Sequence, residues 1–129
     1  MADVRPIDQT DDDLAAVTAA RAADAKNAED VVVLRVGPVL ALCEHFVIAS
    51  AGNPRLVKAV TEEVEERVAE ATGRRPSRVE GLDDLRWVLM DYGDLVVHVF
   101  LDEARRYYDL ERLWSDVERV PWASEPPPA

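Results

Sequence analysis

Chemistry near neutral pH rests first on histidine and cysteine, and this chain has two of the first and one of the second. Cys43, Glu44 and His45 stand together, and His98 lies apart. Zinc asks for three or four convergent ligands at characteristic spacings. One cysteine and two histidines cannot make such a repeated pattern, so packing roles outweigh ligation by roughly ten to one. As a nucleophile, Cys43 would share a strand face with His45, two residues on. No third group is in place to orient that imidazole, and no helix start to lower the thiol pKa. A small apolar packing role for Cys43 is the better reading. Neither a metal nor a cofactor is expected, and no catalytic constellation is found.

Binding chemistry has a stronger signal. Two short runs rich in β-branched and aromatic residues, Trp87 to Asp91 and Asp94 to Phe100, flank Tyr92-Gly93. A two-residue connection ending in glycine predicts a hairpin, with the turn type open because Tyr92 would need positive φ in a type I′ turn. The implied register sets Asp91 against Asp94, Leu89 against Val96 and Trp87 against His98. Alternation then puts Trp87, Leu89, Asp91, Asp94, Val96, His98 and Phe100 on one face. Val88, Met90, Leu95, Val97 and Val99 take the other, a purely apolar face that belongs under helices. The mixed face suits either docking, with aromatics at the centre and carboxylates at the rim, or packing beneath the C-terminal helix or a second copy. Sequence alone weighs these two equally.

Asp91-Tyr92-Gly93-Asp94-Leu95-Val96-Val97-His98-Val99-Phe100, followed by Glu103-Ala104-Arg105-Arg106-Tyr107-Tyr108 and Leu110-Glu111-Arg112-Leu113-Trp114, resembles the ribosomal silencing factor family, also called Iojap-like. Phe46-Val47-Ile48-Ala49-Ser50, Val64-Glu65-Glu66 and Arg78-Val79-Glu80-Gly81 extend the resemblance over roughly residues 12 to 116. It implies an α/β domain of nucleotidyltransferase-like topology. It also implies binding to the large ribosomal subunit through large-subunit ribosomal protein fourteen, a basic protein of the intersubunit face. Joining of the small subunit would be blocked sterically, lowering translation when nutrients are short. The family often forms homodimers, so a second copy is a further expected partner. The resemblance tips the hairpin face to docking: Trp87, Leu89, Asp91, Tyr92, Asp94, His98 and Phe100 are the expected contacts, joined by Arg105, Arg106 and Tyr108 of the following helix. Two departures stand out. Cys43-Glu44-His45 replaces a commoner Thr or Ala, Asp, Tyr or Cys, and Ser50-Ala51-Gly52-Asn53 has Ala51 where a small residue, often glycine, usually follows the serine.

The nucleotidyltransferase likeness raises a second reading, a nucleotide-handling enzyme. That chemistry needs a Gly-Ser loop at a helix start and an Asp-x-Asp pair holding magnesium. Ser50-Ala51-Gly52 imitates the loop, but no Asp-x-Asp follows on the next strand. Fold alone does not carry function. A third reading is an interaction module with a partner unrelated to the ribosome.

The elements that position these residues follow from periodicity. Asp11-Asp12-Asp13 opens an alanine-rich helix to about Asn27, its carboxylates facing the positive end of the helix dipole. Val31 to Val36 is a strand apolar on both faces, broken by Gly37-Pro38; His45 to Ala49 is a second strand. Asn53 and Pro54 start a helix whose stripe is Val57, Val60, Val64, Val68 and Ala71, with Gly73 as its stop. Arg78-Val79-Glu80 is a short strand before the hairpin. Asp102 caps a last helix, in which Arg105 and Asp109 sit four apart and Tyr107, Leu110 and Trp114 lie near one face. The sum is a single domain over residues 11–118, a five-stranded mixed sheet with helices packed on it. A polar tail covers 1–10 and a Pro-rich tail 119–129.

Fifteen Lys plus Arg against 26 Asp plus Glu leave a formal charge of −11. That disfavours direct binding to DNA or to RNA phosphates and favours a basic protein partner. No apolar run reaches the roughly 20 residues of a membrane helix. An acidic N-terminus and a single cysteine fit the cytoplasm.

Overall fold

The structure, a computed structural model, describes residues 11–123. The tail expected at 1–10 lies outside them, as does the end of the tail expected at 119–129.

Strand β1 (Glu29–Arg35) runs antiparallel to β2 (His45–Ala51), which is buried along its whole length. Helix α2 (Pro54–Thr72) then crosses over, so that β5 (Leu95–Leu101) lies parallel to β2, His45 beside Leu95 and Ala51 beside Leu101. Strands β3 (Arg78–Glu80) and β4 (Trp87–Asp91) extend the sheet antiparallel beyond β5. A sixth strand, β6 (Glu118–Arg119), pairs with β1, giving the order β3-β4-β5-β2-β1-β6. Five strands were expected. The sixth is two polar residues long and has no periodicity to read, and Val120 and Trp122 after it pack against the core rather than trailing away.

α1 (Asp11–Ala25) and α2 cover one sheet face. Ala15, Ala16, Ala19, Ala20, Ala22 and Ala23 of α1 are wholly buried. Side chains this small let the helix lie close to both the sheet and α2, which explains burial without a strong apolar stripe. α2 begins as its sequence requires: the Asn53 side chain accepts from the Leu56 N–H at 2.9 Å, with Pro54 behind it. It ends at Gly73, φ +75°, whose N–H returns to the Ala69 carbonyl. Its stripe is Val57, Val60, Thr61, Val64 and Val68; Ala71, in the last turn, is exposed instead.

The opposite face is only partly covered. Helix α3 (Asp102–Tyr108), a 3-10 turn (Leu110–Trp114) and the β1–β2 connection close over Leu34, Phe46, Ile48 and Phe100. The last helix is therefore not continuous: Asp109 takes φ +49° and stops α3. Nor does Asp102 cap it. Leu101 is the N-cap residue and no side chain bonds there, so the carboxylates of Asp102 and Glu103 serve only the first turn.

The β4–β5 hairpin forms, but two residues out of the expected register. Trp87 pairs with Phe100, Leu89 with His98 and Asp91 with Val96. The Tyr92 N–H donates to the Leu95 carbonyl at 2.8 Å, so Gly93-Asp94 is the turn. Gly93 takes the positive φ, +93°, that Tyr92 would have had to adopt. A shift of two keeps every side chain on its face. Val88, Met90, Leu95, Val97 and Val99 are all buried under α1 and α2.

Candidate docking face

Trp87 is the hub of the outer hairpin face. Its ring stacks on Phe100 at 4.9 Å between centroids and meets Tyr108 of α3 at the same distance. Its indole Nε1–H donates to Nδ1 of His98 at 3.1 Å. An accepting Nδ1 means the neutral ring carries its proton on Nε2. Nε2 is buried with no hydrogen-bond partner among the described residues. Burial pushes the His98 pKa down to about 4, so the ring is neutral at physiological pH. Phe46 meets His98 edge-on at 4.8 Å and Trp114 at 5.4 Å, closing the cluster from the β2 side.

This geometry divides the expected contact residues. Trp87, Leu89, Asp91 and Asp94 are half-buried, and Arg106 and Tyr108 are exposed. Phe100 is 0% exposed, His98 4%, Arg105 7% and Tyr92 8%, so in the monomer these four present no surface. The reasons differ. Tyr92 sits one residue out of phase with Trp87 and joins the helix-covered core. His98 and Phe100 lie on the outer face but on the inner strand β5, where Phe46 and Trp87 flank His98 and α3 and the 3-10 turn pack around Phe100. Arg105 turns inward: Nη2 and Nε bind Glu111, at 2.8 and 3.4 Å, and Nη1 donates to Ser50 Oγ and the Glu29 carbonyl. The pairing of Arg105 with Asp109 is thus replaced by Glu111, whose carboxyl Arg105 holds below the usual range. Val96, which alternation placed on this face, is half-buried and pairs with Asp91 rather than with Leu89 as expected. Tyr107, 79% exposed next to Tyr108, was not expected as a contact.

The carboxylates of the turn have work inside the chain. Asp91 Oδ1 accepts from the Gly93 N–H at 2.8 Å, an Asx turn that fixes the hairpin, and Oδ2 lies 3.5 Å from Arg78. Asp94 pairs with Arg74, which also donates to the Tyr92 carbonyl. Arg74 thereby ties the C-terminal end of α2 to the hairpin, a role its position after Gly73 did not reveal.

Other polar groups gather at two places. Asp13 Oδ1 stands 2.9 Å from His45 Nε2 and 3.4 Å from Arg35, between α1 and β2. The imidazole pKa is lowered, by burial first. Cys43 does not share that side. It packs with Leu34, Val36 and Phe46 on the other face, its thiol donating to the His45 and Asp94 carbonyls. Burial raises its pKa, so it is a poor nucleophile. At the C-terminal ends of β2 and β5, Ser50, Asp102, Arg105, Asp109 and Glu111 line a polar cleft of 240 Å³. Its buried arginine is already committed to Glu111, and carboxylates dominate the rim, so a phosphate would meet repulsion. Among the described residues no three His, Cys, Asp or Glu side chains converge as metal ligands, and no helix is long and apolar enough to cross a membrane.

Comparison with known proteins agrees with the fold and with the family resemblance. A crystal structure of a Chromobacterium violaceum protein superposes with a TM-score of 0.76 at 31% identity, over 88% of this chain and 92% of that one. One from Bacillus halodurans gives 0.68 at 38% identity, over 81% and 93%. The ribosomal silencing factor of Bacillus subtilis is 40% identical over 98 residues, 76% of this chain and 82% of that protein. A mouse protein named for mitochondrial assembly of the ribosomal large subunit is 32% identical over 92 residues, 70% of this chain and 40% of its own length. The family described as ribosomal silencing factor during starvation matches residues 8–128. With its sheet, its hairpin and nearly its whole length accounted for in this way, the chain belongs to the ribosomal silencing factor family.

Proposed function

We propose that the chain silences translation in the cytoplasm by binding the large ribosomal subunit through large-subunit ribosomal protein fourteen, so that its bulk keeps the small subunit from joining when nutrients are short. The family match supports the ribosomal role. The observation that carries the docking reading is the outer sheet face of the hairpin, where Trp87, against Tyr108, and Leu89 and Val96 further towards the turn stay half-exposed. Aromatic anchors rimmed by carboxylates suit a protein partner, and the net charge of −11 suits a basic one. Trp87, Leu89, Val96 and Tyr108 form the centre in this reading, and Asp91, Asp94 and Arg106 the rim. The action is steric and makes or breaks no bond. A second copy of the chain is the other partner proposed, on the family resemblance alone.

Co-sedimentation tests this. Purified protein is mixed with separated large subunits, small subunits or joined ribosomes and spun through sucrose. It is expected to pellet with large subunits only, and to shift ribosome profiles towards free subunits. Equal pelleting with small subunits, or none with large ones, overturns the reading. Calorimetry with nucleoside triphosphates and magnesium is expected to show no binding heat, which sets aside the nucleotide-handling alternative.

A further inference from the structure

The ring cluster of the hairpin continues past Trp87 to the surface of α3. Exposure rises along it, from 0% at Phe100, through half-buried Trp87, to 49% at Tyr108 and 79% at Tyr107. Phe100 is stacked on Trp87, and Trp87 meets Tyr108 at 4.9 Å between centroids. Tyr107 then stands against Tyr108 at 5.0 Å, with the two ring planes 87° apart. Two rings at right angles make a corner walled by π faces. Burial this slight gives Tyr107 little part in stability. Charge around the corner favours a cation. Glu103 lies one turn before Tyr107 on the same side of α3, and its carboxylate pairs with Arg86 at 3.5 Å in an exposed contact. An exposed pair of this kind is worth little, so a competing cation displaces it cheaply. Asp109 is exposed two residues further on, 3.8 Å from Arg112, and exposed Arg106 sits about a third of a turn round the helix. Among the described residues the cation seated over a ring is Arg74 on Tyr92, so the faces of Tyr107 and Tyr108 carry none.

We propose that Tyr107 and Tyr108 form a binding corner for a cationic side chain of the basic partner, arginine by preference, with Glu103 supplying the counter-charge. This rests on the reading of the hairpin face as the site of a basic partner, and it names what that partner inserts. A cation over an aromatic face is attracted by the ring quadrupole. A guanidinium does this best, because it lies flat on one ring while its N–H groups turn to a carboxylate. Tyr108 is already packed against Trp87, so one wall of the corner needs no ordering when the guest arrives. A stacked RNA base is the other guest such rings accept, but a chain of −11 formal charges repels its phosphates.

Magnetic resonance spectra of the full chain with isotope-labelled tyrosine rings, titrated with a capped tetra-arginine peptide, test the corner directly. The Tyr107 and Tyr108 signals are expected to shift saturably, and those of buried Tyr92 to stay in place. Tyr107→Phe keeps the π face and is expected to bind the peptide like the unmodified chain. Tyr107→Leu keeps bulk without the π face and is expected to bind it roughly fivefold more weakly. Glu103→Gln is expected to weaken the peptide by a similar factor, and an unchanged affinity overturns the counter-charge. Absence of shifts, equal behaviour of the Phe and Leu variants, or shifts produced by a uridine oligonucleotide and not by the peptide overturns the proposal. Co-sedimentation supplies the second arm. Tyr107→Phe is expected to pellet with large subunits like the unmodified chain, and Tyr107→Leu roughly fivefold more weakly, with both circular dichroism spectra unchanged. Equal pelleting of all three overturns the proposal and leaves the ribosomal reading intact. If the unmodified chain does not pellet, the ribosomal reading falls, and the peptide titration still decides the corner.

Discussion

His98 has lost its surface role to packing, and its protonation now belongs to stability. Its pKa falls from an ordinary 6.5 to about 4 because burial disfavours the charged ring. Above about pH 6.5 the ring is neutral whether the chain is folded or not. Between 6.5 and 4 the unfolded chain binds the proton and the folded one does not, so stability drops as pH falls, by at most about 1.4 kcal/mol per pH unit from this residue. Urea titrations across that window are expected to show a shallower slope for His98→Leu. A residual slope is expected because the buried His45 is lowered as well. Trp87 links this buried ring to the surface. Trp87→Ala removes the anchor of the proposed docking face and also strips His98 Nδ1 of its donor. Binding to the large subunit is expected to weaken at least roughly thirtyfold, about 2 kcal/mol, together with a lower melting temperature. Leu89→Asp separates the two effects. Leu89 is half-exposed, so the variant is expected to lose binding and keep its circular dichroism spectrum.

At the scale of elements, the turn before β4 is as constrained as any part of the site. Gly81 has φ +92°, and a Cβ there would stand 2.0 Å from the Trp87 carbonyl oxygen, a backbone atom with no room to yield. Gly73, at φ +75°, has open space around the same position. Thermal melts are expected to rank the two alanine variants accordingly. Gly73→Ala should cost about 1 kcal/mol for its conformation alone, and Gly81→Ala several times that, since it pushes apart the strand that carries Trp87. The elements themselves were legible where local chemistry decides them. Asn53-Pro54 and Gly73 mark both ends of α2, and alternation sorts the hairpin faces correctly. What was not legible depends on the rest of the fold. The turn centres on Gly93-Asp94 because glycine, not Tyr92, accepts positive φ and because Asp91 binds the Gly93 N–H. Which of the outer-face residues stay exposed was decided by α3 folding back after Leu101, an event with no signature in the hairpin sequence. The break at Asp109 hid behind helical spacing that continues to Trp114.

For the molecule as a whole, charge sets the conditions of association. With −11 formal charges and the basic partner proposed here, attraction is expected to be long-ranged and screened by salt. Pelleting with large subunits is expected to fall as sodium chloride rises from about 0.05 to 0.5 M, with most of the loss in the association rate as measured by surface-bound subunits. A constant affinity over that range would mean that the carboxylates are spectators. The family and the hairpin could be read from the sequence because the hairpin motif is contiguous. The sixth strand beside β1 could not, since its two polar residues, Glu118 and Arg119, carry no periodicity and meet β1 only in three dimensions. The parallel pairing of β2 with β5 has a consequence in time as well as in space. His45 must meet Leu95, and each later partner likewise lies 50 positions further along the chain. The β1–β2 and β4–β5 hairpins can zip locally within microseconds. Their union must wait for a much longer loop to close. The rate-limiting step of folding is therefore expected to be the docking of two preformed hairpins along one seam. Conservative truncations at Val47 and Val97 should slow refolding more than they speed unfolding, while truncations in β6 do the reverse. During synthesis, that seam cannot close until residue 101 has cleared the exit tunnel.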